Sequence, residues 1–228
     1  RREGYELELS KPEAITKTVD DTVMEPVETL TIDTAEEYIG ELTEMLARRK
    51  GRMTNLHHDS MGNVRLEYHI PTRGLIGFRS NFLTATRGRG IMNTLFLNYE
   101  PWQGEIGSSR SGVLVASQSG TAVTYGLNNA QERGLTFIEP MTEVYEGMVI
   151  GLHSRGNDLA VNVCKEKKMT NIRSSTSDIS VKLTPTMKLS LEESLDFIED
   201  DELLEVTPKN IRLRKKLLSA HERKRAEK

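Results

Sequence analysis

Asn63-Val64-Arg65-Leu66-Glu67-Tyr68-His69-Ile70 alternates strictly. Val64, Leu66, Tyr68 and Ile70 fall on one face and Asn63, Arg65, Glu67 and His69 on the other, the signature of a half-buried strand. Just upstream, Asp59-Ser60-Met61-Gly62 reads as a turn, which makes residues 52–58 and 63–70 a hairpin. Further upstream, Val27 to Ile32 reads as a strand. Asp33 or Thr34 then offers a helix cap, with Glu36 or Glu37 at the matching third position. Ala35, Tyr38, Ile39, Leu42, Met45 and Leu46 recur at helical spacing, and Arg48-Arg49-Lys50-Gly51 closes that helix. Downstream, Pro71-Thr72 precedes a predicted helix over 73–86 with Leu75, Ile76, Phe82 and Leu83 as its apolar stripe. Arg87-Gly88-Arg89-Gly90 breaks it, and 94–99 reads as a last strand. The order over 27–102 is β-α-β-β-α-β, the ferredoxin-like layout, whose two helices cover one face of the sheet.

The remainder reads as α+β too. Residues 5–9 alternate as a short strand, and 13–26 read as an extended crossing closed by Glu25-Pro26. Residues 103–228 carry short strand-like runs at 112–117, 121–127, 135–138, 148–152, 159–164 and 179–183, separated by turn residues, which predicts a β-rich domain. Helices are expected at 191–199 and, by the spacing of Ile211, Leu213, Leu217 and Leu218, in the closing stretch that ends in a frayed basic tail.

The 228 residues include one cysteine, Cys164, which excludes an intramolecular disulfide framework and any multi-cysteine metal site. No apolar run reaches the length of a membrane span. Arg1-Arg2-Glu3-Gly4 has no initiator Met, so a fragment or processed piece is expected. The net charge of -3 conceals segregation: residues 189–208 hold eight acidic and no basic groups, and 209–228 hold nine basic and two acidic. Basic faces on a near-neutral chain still attract phosphates.

Ile70-Pro71-Thr72-Arg73-Gly74-Leu75-Ile76-Gly77-Phe78-Arg79, continued by Phe82-Leu83-Thr84-Ala85-Thr86-Arg87-Gly88-Arg89-Gly90, carries a resemblance, together with Arg110-Ser111-Gly112-Val113-Leu114-Val115 and Asn128-Asn129-Ala130-Gln131-Glu132-Arg133-Gly134. Residues 25–100 resemble the ferredoxin-like fifth domain of elongation-factor-G-like proteins. The whole chain resembles the bacterial BipA/TypA family of translational GTPases. The resemblance implies that 1–26 are the end of a preceding third domain and a linker, 27–102 the fifth-domain equivalent, and 103–228 a family-specific C-terminal domain. It implies a cytoplasmic, ribosome-associated parent that binds the 70S ribosome with GTP, supports large-subunit assembly and growth in cold or stress, and contacts large-subunit ribosomal RNA and the acceptor end of aminoacyl-site transfer RNA. A monomer is expected. GTP and Mg²⁺ are expected only for the parent. This chain has no Gly-x-x-x-x-Gly-Lys-Ser/Thr loop, and Thr16-Lys17-Thr18-Val19-Asp20 puts its Asp one residue late for a guanine motif.

No catalytic, cofactor or metal residues are expected. Cys164 reads as a structural thiol, and His57-His58 point to opposite faces of a strand. The acidic block from Glu192 to Glu202 lacks calcium-loop periodicity and reads as a solvated face or as a partner for the basic tail. The candidate RNA contacts are Arg73, Arg79, Arg87 and Arg89 along the second helix and its glycine-rich end, and Lys165, Lys167, Lys168 and Arg173 in an exposed loop from 165 to 176. Arg48, Arg49, Lys50 and Arg52, and the tail cations Arg212, Arg214, Lys215, Lys216, Arg223, Lys224, Arg225 and Lys228, are weaker candidates, since a helix dipole or the acidic block accounts for them. The alternative is a protein-interaction or regulatory module without direct RNA contact.

Overall fold

The computed structural model describes residues 3–59, 62–107, 110–166 and 182–226. Two compact units emerge, one formed by Pro12–Ser108 and the other by Arg1–Lys11 with Ser109–Lys228. The sequence expectation grouped 1–26 with a preceding domain. The structure divides them instead: the strand β1 (Leu7–Leu9) pairs within the C-terminal unit, and residues from Pro12 onward join the middle unit.

In the middle unit β2 (Lys17–Val19) turns tightly through Asp20 and Asp21, both at positive φ, into β3 (Thr22–Ala35). A 3-10 turn (Glu36–Tyr38) leads into α1 (Ile39–Arg48), then β4 (Arg52–His58), β5 (Asn63–Pro71), α2 (Thr72–Leu75), α3 (Phe78–Ala85) and β6 (Ile91–Pro101). All pairings are antiparallel, in the order β4-β5-β3-β6, so the ferredoxin-like layout holds. Val64, Leu66, Tyr68 and Ile70 are buried against Leu30, Ile32, Leu42, Leu46, Phe78 and Phe82, as the alternation predicts.

Three local expectations fail. β3 runs on to Ala35, so Asp33 caps nothing; it is a strand residue ion-paired with Arg65 opposite, at 2.7 Å. The 73–86 helix is two helices, because the chain turns extended at Ile76 (ψ 124) and left-handed at Gly77 (φ +67) before α3 starts. The buried anchors of α3 are therefore Phe78 and Phe82, while Leu83 is exposed.

The C-terminal unit contains β7 (Val113–Ala116), β8 (Gly120–Thr121), α4 (Thr124–Gln131), β9 (Gly134–Thr136), β10 (Glu143–Val144), β11 (Met148–His153), β12 (Leu159–Val161), α5 (Leu191–Phe197), β13 (Glu202–Val206), β14 (Ile211–Lys215) and α6 (Ala220–Ala226). Its main sheet runs β1-β13-β14-β11-β7-β12, with β9 also on β11. All four residues of β7 are buried: Leu114 and Ala116 face a core with Leu127 and Ala130 of α4, while Val113 and Val115 face another with Ile198, Leu204 and Leu213. A strand covered on both faces needs an unbroken apolar run, which Val113-Leu114-Val115-Ala116 supplies. α5 opens on a full capping box between Ser190 and Glu193. The expected 121–127 strand is mostly helix, and the expected helix near 211–218 is the strand β14. Of the expected 179–183 strand, only 182 and 183 are described, and they are not strand.

Candidate nucleic-acid interface

The end of α3 is built to hold a tight arginine-glycine turn in one shape. Phe82 is buried, and its carbonyl accepts both the Thr86 N–H (2.9 Å) and the Thr86 hydroxyl (2.8 Å). The Gly88 N–H then donates to Leu83 O and the Arg87 N–H to Thr84 O, the paired bonds of a Schellman closure. Its left-handed position belongs to Arg87, at φ +52, where glycine is usual. Gly88 follows at φ +73 with nothing within 4 Å of where a Cβ would be, so its backbone lies open. Gly90 is a packing requirement, because a Cβ there would lie 2.4 Å from Phe82 Cζ. Arg79, Arg87 and Arg89 are all exposed, and none of the three forms an ion pair among the described residues. Open glycine backbone beside exposed guanidinium groups suits a phosphate chain.

Arg73 does not share that surface. Its side chain is largely buried, donating to both oxygens of Glu25 and to the carbonyl of Gly104, with the guanidinium 3.8 Å from the centre of the Trp102 ring. Of the four expected arginines, Arg79, Arg87 and Arg89 are left exposed. Glu25 is the residue that sequence reading missed; its neighbour Pro26 marked it only as a chain crossing.

The first helix ends in the same kind of closure, with Gly51 N–H on Leu46 O and Lys50 N–H on Ala47 O, and Lys50 at φ +64. Arg49 is turned inward, donating to Gly74 O and Ile76 O. Arg48 pairs with Glu44 and Arg52 with Glu100. Arg49 thus ties the end of α1 to the α2 segment, while Arg48 pairs within its own helix and Arg52 joins β4 to β6.

In the C-terminal unit Lys165 is exposed, while Lys167, Lys168 and Arg173 lie outside the described residues. The two ends of that segment are anchored. Val163 O accepts the Val123 N–H at 2.9 Å. On the far side, the Gln131 amide holds Thr184 at both backbone groups: Oε1 accepts the Thr184 N–H and Nε2 donates to Thr184 O, each at 2.9 Å. The Asn128–Gly134 string contains Gln131, but nothing in its spacing marked that residue as an anchor.

The tail cations divide. Arg214 pairs with Glu8 and Glu205, and Lys215 is buried among Asp158, Asp201 and Glu202, the last two at 2.7 and 2.9 Å. Lys215 thus pairs with the acidic block through Asp201 and Glu202, while the partners of Arg214 lie outside it. Lys216, Lys224 and Arg225 stay exposed, and Arg223 donates to the carbonyls of Leu217 and Leu218. Arg110 completes the buried cluster, donating to Glu202 and to Phe197 O. Burial pushes the Cys164 thiol pKa up, the reverse of an activated nucleophile. No group of three metal-ligating side chains occurs among the described residues, and no helix there is long and apolar enough to cross a membrane.

Residues 22–110 match the family described as elongation factor G C-terminus, and residues 111–220 match the TypA/BipA C-terminal domain. The relative from Bacillus subtilis (strain 168), named large ribosomal subunit assembly factor BipA, is 49% identical over 229 aligned residues, 100% of this chain. The chain belongs to the TypA/BipA family. Family relatives of the same printed name from Haemophilus influenzae and Escherichia coli (strain K12) are 49% and 46% identical, each over 99% of the chain. The chain spans 37% of the length of each of these TypA/BipA relatives. The match to the elongation factor G C-terminus fits the ferredoxin-like sheet of the middle unit.

Proposed function

We propose that this chain holds a TypA/BipA-type translational GTPase on the large ribosomal subunit during its assembly, by contact with ribosomal RNA and without covalent chemistry of its own. The observation that carries the reading is the Thr86–Gly90 turn, where Arg87 and Arg89 are exposed and unpaired beside open glycine backbone, with Arg79 on the same helix. The printed name of the relatives, large ribosomal subunit assembly factor, supports the choice of subunit. Lys165, with Lys167, Lys168 and Arg173 beyond it, is the second proposed contact, directed at RNA that includes the transfer RNA acceptor end. The 70S ribosome, growth in cold or stress and a cytoplasmic, monomeric state belong to the same proposal, as do GTP and Mg²⁺ bound elsewhere in the parent. Cosedimentation of the purified chain with isolated large and small subunits tests it. Saturable attachment to the large subunit that Arg87→Ala/Arg89→Ala weakens is the expected result, and attachment to neither subunit would overturn it.

The exposed row Leu95, Phe96 and Leu97 on the edge strand β6 favours a second reading, in which the middle unit docks a protein.

A further inference from the structure

The sheet of the middle unit has two outer strands, β4 and β6, and they are not alike. An outer strand leaves a row of N–H and C=O groups without a ladder partner, and native proteins guard it with charge, proline or a bulge. β4 is guarded: it carries Arg52 and the imidazoles of His57 and His58, and its pairing with β5 is bulged between Met53 and Asn55. β6 is not. Ile91–Phe96 pairs with Asp33–Glu28 of β3 residue for residue, and the irregularity comes only beyond it, at Leu97. That stretch, Ile-Met-Asn-Thr-Leu-Phe, holds no charge and no proline, and it is about as long as a usual strand.

Both faces of this edge carry exposed apolar side chains. Leu30 and Ile32 of β3 face the helices, so Ile91 and Leu95, opposite Asp33 and Thr29, stand on the bare face; they are 62% and 74% exposed. Phe96, opposite Glu28, is on the helix side and 56% exposed. The surrounding charge has one sign. From Tyr68 to Tyr99 the chain holds four arginines and no Asp or Glu. Arg87 and Arg89 are exposed where the chain enters β6, and the Lys17 ammonium lies 4.0 Å from the centre of the Tyr99 ring toward its other end. Of the carboxylates on β3 and β6 beside this stretch, Asp33 is engaged by Arg65, Glu28 by Thr72 and Glu100 by Arg52. A basic segment would be repelled here. RNA would meet the same cations, but it offers no peptide ladder to an open edge and gains little by covering Ile91 and Leu95.

We propose that β6 takes up an extended acidic segment of a partner protein as an added antiparallel strand along Ile91–Phe96. The segment's main chain completes the open ladder, its apolar side chains at alternate positions cover Ile91 and Leu95, and its carboxylates meet the cations at either end of the strand. The inference rests on the protein-docking reading of the middle unit and gives that reading a partner chemistry.

The test is amide hydrogen exchange of the intact chain with three seven-residue probes: alternating Val and Glu, alternating Val and Lys, and the Val-Glu sequence N-methylated throughout. The Val-Glu probe slows exchange within Ile91–Phe96. By anisotropy of its labelled form it binds about tenfold tighter than the Val-Lys probe, and salt narrows that margin. The N-methylated probe cannot donate to the ladder and gives no protection. Ile91→Asn/Leu95→Asn changes two exposed side chains, so its thermal midpoint stays close to that of the unmodified chain while the Val-Glu probe binds more weakly. Equal binding of the Val-Glu and Val-Lys probes, with β6 protected by both, overturns the acidic partner and leaves the protein-docking reading standing. No protection of β6 by any probe overturns the strand addition. Protection of the same residues by oligouridine alone overturns it in favour of RNA. Slow exchange there before any probe is added overturns it in favour of a second copy if the isolated chain sediments as a dimer, and of the protein's own remaining chain if it is seen only at full length.

Discussion

Arg73 and Glu25 form a two-point ion pair inside the middle unit, Nε to Oε2 at 2.5 Å and Nη2 to Oε1 at 3.2 Å, with Glu25 only 1% exposed. The second carboxylate oxygen also accepts the Gln103 N–H, and the guanidinium reaches Gly104 O and covers Trp102. Arg73 therefore staples residues 102–104 to the start of β3.

Removing one partner of such a pair leaves a buried charge behind. Arg73→Ala is expected to lower stability by about 3 kcal/mol, read from denaturant unfolding. Because the side chain is spent inside the unit, the salt dependence of ribosome attachment should not move in a folded Arg73→Lys protein. A shallower salt slope in that variant would return Arg73 to the RNA surface.

Arg87 gives the opposite pattern. Its left-handed backbone costs about 1–2 kcal/mol relative to glycine. Arg87→Gly should raise the thermal midpoint while weakening large-subunit attachment. A fall in the midpoint would mean that the side chain supports the fold and is not held out for a ligand.

The Lys215 cluster predicts a pH window. Burial works to lower the Lys215 pKa, but the carboxylates of Glu202, Asp158 and Asp201 outweigh it, and the net direction is upward. Burial likewise pushes Asp158 up, but the Lys215 ammonium and the Val113 N–H hold it below its ordinary 3.8. A raised lysine contributes stability below its ordinary 10.5 that is lost as pH rises through the folded value. A depressed carboxylate contributes stability above 3.8 that is lost as pH falls through the lowered value. Thermal midpoints measured across pH should fall at both ends, and Asp158→Asn should flatten the acid limb. An unaltered acid limb in that variant would show that Asp158 is not part of the acid response.

Gln131 predicts a local effect. Gln131→Ala removes both bonds to Thr184, each worth about 1 kcal/mol net. Amide exchange at Thr184 should quicken while exchange in β7 and β11 stays slow. Equal acceleration everywhere would mean that Gln131 supports the whole unit.

How far the sequence could be read follows from where the partners lie. The 63–70 arm of the hairpin was legible because its alternation is local and its buried face is Val64, Leu66, Tyr68 and Ile70, whereas the 52–58 arm is exposed throughout and follows from the turn between them. β14 was misread because its buried positions are Leu213 and Lys215, and a buried lysine breaks the pattern. The carboxylates that make Lys215 tolerable come from residues 158, 201 and 202, and only folding brings them together. Arg73 was misplaced for the same reason, since Glu25 is 48 residues away. Arg87 and Arg89 needed no distant partner, so their exposure was visible in Arg87-Gly88-Arg89-Gly90.

The most direct test of the account is the affinity of the chain for purified large ribosomal subunits, titrated against salt, for the parent and for Arg87→Ala/Arg89→Ala. If the Thr86–Gly90 turn neutralises phosphates, the double variant binds more weakly and its log–log salt slope is shallower by about 1.5 to 2. An unchanged affinity and an unchanged slope, in a variant with the parent's thermal midpoint, would contradict it.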